Sequence, residues 1–177
     1  MDNDDEYERF PPLPNPRFDL VRIGSPEGTP EGVARTFAEV GVPIGLIGYE
    51  YRALPESVHL EGPLRGRLIA FGADGVFARV CIDLTTGEIV HVPKVESATA
   101  SGVNRDLETF TRCVAAVINR LPFYEEDADD EEFARVADEI GDIIRDLDDD
   151  RYADDGFWGG FREDVAQGHY CDWDESE

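Results

Sequence analysis

The sequence predicts one α+β domain, in which an antiparallel β-meander packs against helices. Three observations carry that expectation. Between residues 67 and 93, three β-rich runs are separated by two short turns, 73–75 with Asp74-Gly75 and 85–87 ending in Gly87. Asp-Gly supplies the positive φ angles that tight hairpin turns demand. In the second run Val76, Ala78, Val80 and Ile82 alternate with Phe77, Arg79, Cys81 and Asp83, the period of a strand with one face in a core and one partly wet. Downstream, Leu107, Phe110, Val114, Val117, Ile118 and Leu121 recur at helical spacing and form an apolar stripe able to cover the sheet.

The remaining elements follow in chain order. Residues 1–28 are expected to form an extended acidic, proline-rich arm, since Phe10-Pro-Pro-Leu-Pro14 suits extended chain better than helix. Phe10, Leu13 and Phe18 are its candidates for docking on the body. Thr29 is a good N-cap with Pro30 in the first helical position; Val33, Phe37 and Val40 make a short stripe, and Gly41 and Pro43 end that helix. Residues 44–51 read as a first strand or an extended cover. Pro55 and Pro63 mark a loop before the meander, and Pro93, which cannot donate to a ladder, closes it. Residues 98–102 read as a small-residue loop. Asn104 reads as the N-cap of a helix of about four to five turns, with Asp106 and Glu108 complementing its dipole. Pro122 ends that helix. Phe133, Val136, Ile140, Ile143, Ile144 and Leu147 mark another, which closes on Asp148-Asp-Asp150, where negative charge opposes the dipole. A last short element holds Phe157, Trp158, Phe161 and Val165 with Gly168 as its C-cap, so the domain is expected over 29–170 with an acidic tail over 171–177.

Charge is the strongest compositional signal. The formal net charge is -24, and it is uneven: residues 1–121 hold 18 acids and 12 bases, residues 122–177 hold 22 acids and 4 bases. Residues 125–132 alone contain seven acids in eight positions. Such a field repels nucleic-acid phosphates and anionic membranes and attracts basic proteins or cations; the plain alternative is that it only keeps the protein soluble. The acidic N-terminus has no apolar signal-peptide core, and no run nears the ~20 apolar residues of a membrane span, so a cytoplasmic protein is expected. Cys81, Cys113 and Cys171 are odd in number and widely spaced, and suggest neither a disulfide framework nor a metal clip.

No catalytic constellation is expected. His59, His91 and His169 do not share metal-ligand spacing with each other or with the cysteines. His91 alternates with Val90 and Val92 on a strand, as a surface or edge histidine does. Cys113 lies one position off the Phe110 stripe as a small, partly buried residue, and Asp83 before Thr85-Thr86-Gly87 is placed to set a turn. Neither a phosphate-binding glycine loop nor a G-x-S-x-G elbow is present. Residues 148–156 only loosely imitate the D-x-D-x-D-G calcium loop, so no cofactor or metal is expected.

The order and wording of these elements resemble a known family. Thr36-Phe-Ala-Glu-Val-Gly-Val-Pro43 looks like its helix ending in glycine, an apolar residue and proline. Ala70-Phe-Gly-Ala-Asp-Gly75 with Val80-Cys-Ile-Asp-Leu-Thr-Thr-Gly-Glu-Ile89 resembles its central meander, with an acid before a Thr-Gly turn. Val103-Asn-Arg-Asp-Leu-Glu-Thr-Phe110 resembles its helix opening, although Arg105 stands where a small polar residue is usual. Residues 158–165 and Gly168-His-Tyr170 are similar to its C-terminal motif. The family is the SUKH superfamily, in its fourth group, found mainly in actinobacteria, and the resemblance runs from about Thr29 to Tyr170. It implies an immunity protein that binds and neutralises a polymorphic toxin, often a nuclease or nucleic-acid deaminase, inside the producing cell, and it brings no catalytic residues.

The partner expected is therefore a basic toxin domain, with no direct binding of nucleic acid or membrane. The candidate contact residues are Glu125, Glu126, Asp127, Asp129, Asp130, Glu131, Glu132, Asp148, Asp149, Asp150, Asp154 and Asp155, with Trp173 as an exposed aromatic anchor. Trp158, in an apolar cluster, is expected in the core instead. The alternatives are a non-catalytic regulatory or scaffold module of the same fold, and a calcium-binding protein.

Overall fold

The computed structural model describes residues 17–48, 50–62, 66–95 and 99–170. Among these residues, seven strands and four α-helices follow one another as β1 (Leu20–Val21), α1 (Glu31–Arg35), β2 (Val42–Pro43), β3 (Arg52–His59), β4 (Leu68–Asp74), β5 (Ala78–Asp83), β6 (Ile89–Pro93), β7 (Ser101–Asn104), α2 (Leu107–Asn119), α3 (Asp130–Asp148) and α4 (Phe157–Ala166). Strands β3 to β7 form one antiparallel sheet in sequence order, and β1 and β2 pair as a small separate ribbon. The architecture is the expected α+β fold. The meander of β4, β5 and β6 stands in the expected place, extended by one strand on each side.

Both added strands run through segments expected to be loops. In β3, Pro55 falls where the pairing with β4 shifts register, between Ala53 and Val58. That strand lies at the sheet's edge, where a missing N–H is tolerated. Its outer side is engaged by the chain near β1: Ser57 N–H and Oγ both donate to the Gly24 carbonyl, at 3.0 and 2.8 Å. At the opposite edge, β7 takes up part of the small-residue stretch. Its Ser101 and Gly102 pair with His91 and Val90, and Val103 is buried.

The helices cover one face. Ile69, Phe71, Val80, Ile82, Ile89 and Val103 join Phe110, Val114, Val117, Ile118, Val136, Ile140, Ile144 and Trp158 in the main core. Phe110 is 0% exposed, edge-on to Tyr51 with centroids 5.0 Å apart. The second face of the sheet holds a smaller buried cluster of Leu68, Ala70, Cys81, Val90 and Val92, with Leu54 and Leu60 packed against it, while Val58 and Arg79 on the same face stay partly exposed. Val76 and Phe77 lie in the turn before β5 rather than in the strand, which leaves Phe77 exposed.

Three local expectations change. Thr29 does not cap α1; its hydroxyl donates to the Pro26 carbonyl, and Pro30 holds the cap position. The end of that helix widens into a π-turn over Thr36–Val40, closed by Gly41 N–H to the Thr36 carbonyl at 2.8 Å. The wider turn rotates Val40 off the Val33–Phe37 stripe, so it is 60% exposed while Phe37 is buried. Residues 44–48 and 50–51 serve as an extended cover, with Leu46, Ile47 and Tyr51 fully buried. At the other end, Gly168 at φ 71° closes α4 as expected: its N–H reaches the Val165 carbonyl and that of His169 the Asp164 carbonyl, a Schellman pair. The arm expected over 1–28 is structured from Leu20 onward; its residues 1–16 and the tail 171–177, with Cys171 and Trp173, lie outside the described residues.

Candidate functional site: an acidic helix with two uncompensated ends

The acidic run first does a local job. Asp129 caps α3 by accepting the Glu132 N–H at 3.0 Å. Asp130, Glu131 and Glu132 fill the first turn, where carboxylates stabilise the positive end of the helix dipole. Glu132 Oε1 also accepts the Glu125 N–H at 3.1 Å, folding the preceding loop onto the helix. Glu125, Asp129, Glu131, Glu132 and Arg135 line an open depression there.

Along the middle of α3 the charges cancel. Arg120 reaches Glu139 at 2.8 Å, and Arg135 also bonds Glu139; the hydrogen bond from Arg120 leads in holding the Glu139 carboxyl below its ordinary range. Arg145 lies 3.2 Å from Asp142 and 3.8 Å from Asp154, with its guanidinium 4.3 Å over the Tyr152 ring. Arg162 pairs with Asp138, and Arg151 with Glu88. The four bases after residue 121 are thus all engaged.

The two ends are different. Glu125, Glu126, Asp127, Asp130 and Glu131 are exposed at the start of the helix, and Asp149, Asp150 and Asp155 beyond its end. Among the described residues none of these eight carries an ion pair. The structure therefore sets the two predicted acid groups apart, at opposite ends of a helix of 19 residues, roughly 28 Å at 1.5 Å per residue. Asp154 is exposed and lies near Arg145. Asp148 differs from the rest of the set: it is 2% exposed, and its carboxylate faces inward.

What Asp148 does instead is the feature that sequence reasoning missed. Asn104, the last residue of β7, is fully buried and is not the N-cap of α2; Asp106 is, accepting the Thr109 N–H at 2.7 Å. The Asn104 Nδ2 donates to Asp148 Oδ2 at 3.0 Å, and its Oδ1 accepts the indole N–H of Trp158 at 3.0 Å. Arg105 N–H donates to the same Asp148 oxygen at 2.8 Å. A carboxylate at the wrong end of a dipole is thereby used as a buried acceptor. One sequence signal favoured Asp106: it directly precedes Leu107, the first residue of the apolar stripe.

The other singled-out residues make local contacts. Asp83 is buried, and its Oδ1 accepts the Thr85 N–H at 2.9 Å while Oδ2 accepts Arg67 Nε at 3.0 Å, which sets the turn. His91 Nε2 lies 2.8 Å from Asp74 Oδ2 and makes no other hydrogen bond among the described residues. Burial pushes the Cys113 thiol up to about 12, far from a reactive thiolate. Among the described residues no group of three or more His, Cys, Asp or Glu side chains is placed to hold a metal ion, and no helix is long and apolar enough to cross a membrane.

The sequence model of the family described as SUKH-4 immunity protein matches residues 20–164. The chain belongs to the SUKH-4 immunity protein family. No curated protein and no solved structure matches it. Two of the stretches that carry the family resemblance in this SUKH-4 chain meet in space, since Asn104 of the helix opening bonds Trp158 of the C-terminal motif.

A third such stretch ends in Tyr170, whose hydroxyl donates to Glu50 Oε1, while Glu50 Oε2 accepts the Gly48 N–H. Desolvation outweighs those bonds and raises the Glu50 carboxyl above its ordinary value of 4.5. A carboxyl raised in the folded state stabilises the fold fully only below its unfolded value, and that contribution is lost as pH rises through the folded value. Glu50→Gln should therefore gain on the wild type as pH rises above about 4.5, and equal shifts at all pH values in paired thermal melts would refute the assignment.

Proposed function

We propose that this SUKH-4 protein binds and neutralises a toxin, a nuclease or nucleic-acid deaminase, in the bacterium that makes both, in the cytoplasm and without catalysis of its own. It does so by laying acidic surface over the basic cleft in which the toxin holds nucleic acid. The observation that supports this reading is the charge arrangement on α3, whose bases are all engaged while both ends keep uncompensated carboxylates. Carboxylates on a folded helix present negative charge where phosphates would lie, and their long-range attraction steers a cationic partner into encounter.

The test uses a toxin domain, if one is encoded beside this chain's gene. Asp129 and Glu132 make local bonds, so the informative set is Glu126→Gln, Asp127→Asn, Asp130→Asn and Glu131→Gln together. Association at low salt should slow about tenfold or more, and its salt dependence should flatten, with thermal stability little changed. Unchanged association and salt response would move the binding face elsewhere. A chain with no toxin gene beside it, and with a cellular partner insensitive to these changes, would favour the regulatory or scaffold module.

A further inference from the structure

Residues 149–157, which run from a 3-10 turn after α3 to the first residue of α4, are bracketed by two residues that bond the same side chain. Asp148 immediately precedes it and Trp158 immediately follows it, and Asn104 holds both, at 3.0 Å each. All three are buried. Tyr152 and Phe157 also pack against the main core, while the segment's other polar ties lie nearer the surface: Arg151 to Glu88, Arg145 to Asp154, and Gly156 N–H to the Ala153 carbonyl at 3.0 Å. Asp148 Oδ1, moreover, is buried with no hydrogen-bond partner. An under-satisfied buried carboxylate is destabilising, and a core selected for stability alone favours apolar residues at such a position. The arrangement therefore suits the fixing of a shape better than the strengthening of a core.

We propose that Asn104 is a positioning residue for partner binding. Its amide clasps both ends of loop 149–157, so that Asp149, Asp150, Asp154 and Asp155 are held in one arrangement before the toxin arrives. This rests on the reading that the acids at this end of α3 meet the partner. Pre-shaping a charged loop lowers the ordering cost of binding and acts on how long the complex lasts. The encounter rate follows from the total field, which the clasp leaves alone.

Two measurements on this chain test it: hydrogen exchange, and binding kinetics with a toxin domain encoded beside its gene. In Asn104→Ala, amides of 149–157 should exchange at least about tenfold faster while β4 and β5 keep their protection, and dissociation should quicken about tenfold with association changed less than about twofold. Asp148→Asn keeps an acceptor oxygen for Asn104 and Arg105, and should stay near wild type in both. Trp158→Phe keeps the ring and loses only the N–H; it should loosen the 152–157 half, and serves where Asn104→Ala does not fold. Exchange that rises equally in all strands, loop amides that do not change, or an unchanged dissociation rate each overturn the clasp. Combined Asp→Asn changes at 149, 150, 154 and 155 separate the two ideas. If they alter binding and the Asn104 variant does not, the clasp alone falls; if they leave binding unchanged, the acidic-loop reading falls and takes the clasp's role with it.

Discussion

Phe110→Ala should destabilise the protein by about 3–5 kcal/mol, the range for truncating a buried aromatic that leaves a cavity. Phe110 stands where sheet and helix layers meet. Its ring lies 5.0 Å from Tyr51 and 5.9 Å from Phe71 on the sheet side, and 6.2 Å from Trp158 on α4. These neighbours come from three separate segments, so no single rotamer change refills the space. Phe77→Ala is the matched control. Phe77 is 74% exposed, and its truncation should stay within about 0.5 kcal/mol. Denaturant melts of both variants decide the matter, and a loss under about 1 kcal/mol for Phe110→Ala would contradict the packing described.

Two adjacent glycines in the first turn of α4 should respond with opposite signs. A Cβ on Gly159 would stand 2.1 Å from the Asp154 carbonyl oxygen and 2.5 Å from that of Ala153. Both are backbone atoms of the loop packed beneath the helix, so neither can turn aside. Gly159→Ala must push α4 and the loop apart, and should cost about 3 kcal/mol, the upper end for overpacking. Gly160 is exposed, and a Cβ there meets nothing within 4 Å. Gly160→Ala should stabilise by about 0.5–1 kcal/mol through helix propensity alone. Melting temperatures that shift the same way in both variants would place the loop elsewhere.

The central meander was legible in the sequence because its signals are local. An Asp-Gly turn, a two-residue alternation and a terminal proline each act within a few residues. The outer strands were hidden by signals that also act locally but are outweighed in the fold. Pro55 reads as a break, yet an edge strand with a register shift accepts it. The run ahead of Asn104 reads as a loop, yet pairing with β6 makes its end a strand. For the candidate site, the sequence shows which residues are acidic but not which are already engaged. Asp148 and Asp149 are neighbours of identical type, one buried and one exposed, and only the position of Asn104, 44 residues away, separates them. The Val40 misreading has a similar cause, since one wider helical turn breaks a spacing argument that assumes 3.6 residues throughout.

The irregular edge strand β3 has a bearing on how this protein meets others. Proteins with long, regular sheet edges are prone to recruit strands from neighbouring chains, which serves some for peptide capture and condemns others to aggregate. Here the long edge carries a proline and a register shift, and is held by the Gly24 carbonyl; the other edge spans four residues, the last two buried. Main-chain recognition is poorly served by either edge, so the partner binding proposed above falls to side chains. A surface read through side chains can be rewritten residue by residue while the sheet beneath is untouched, so a scaffold of this kind can follow a changing partner without refolding.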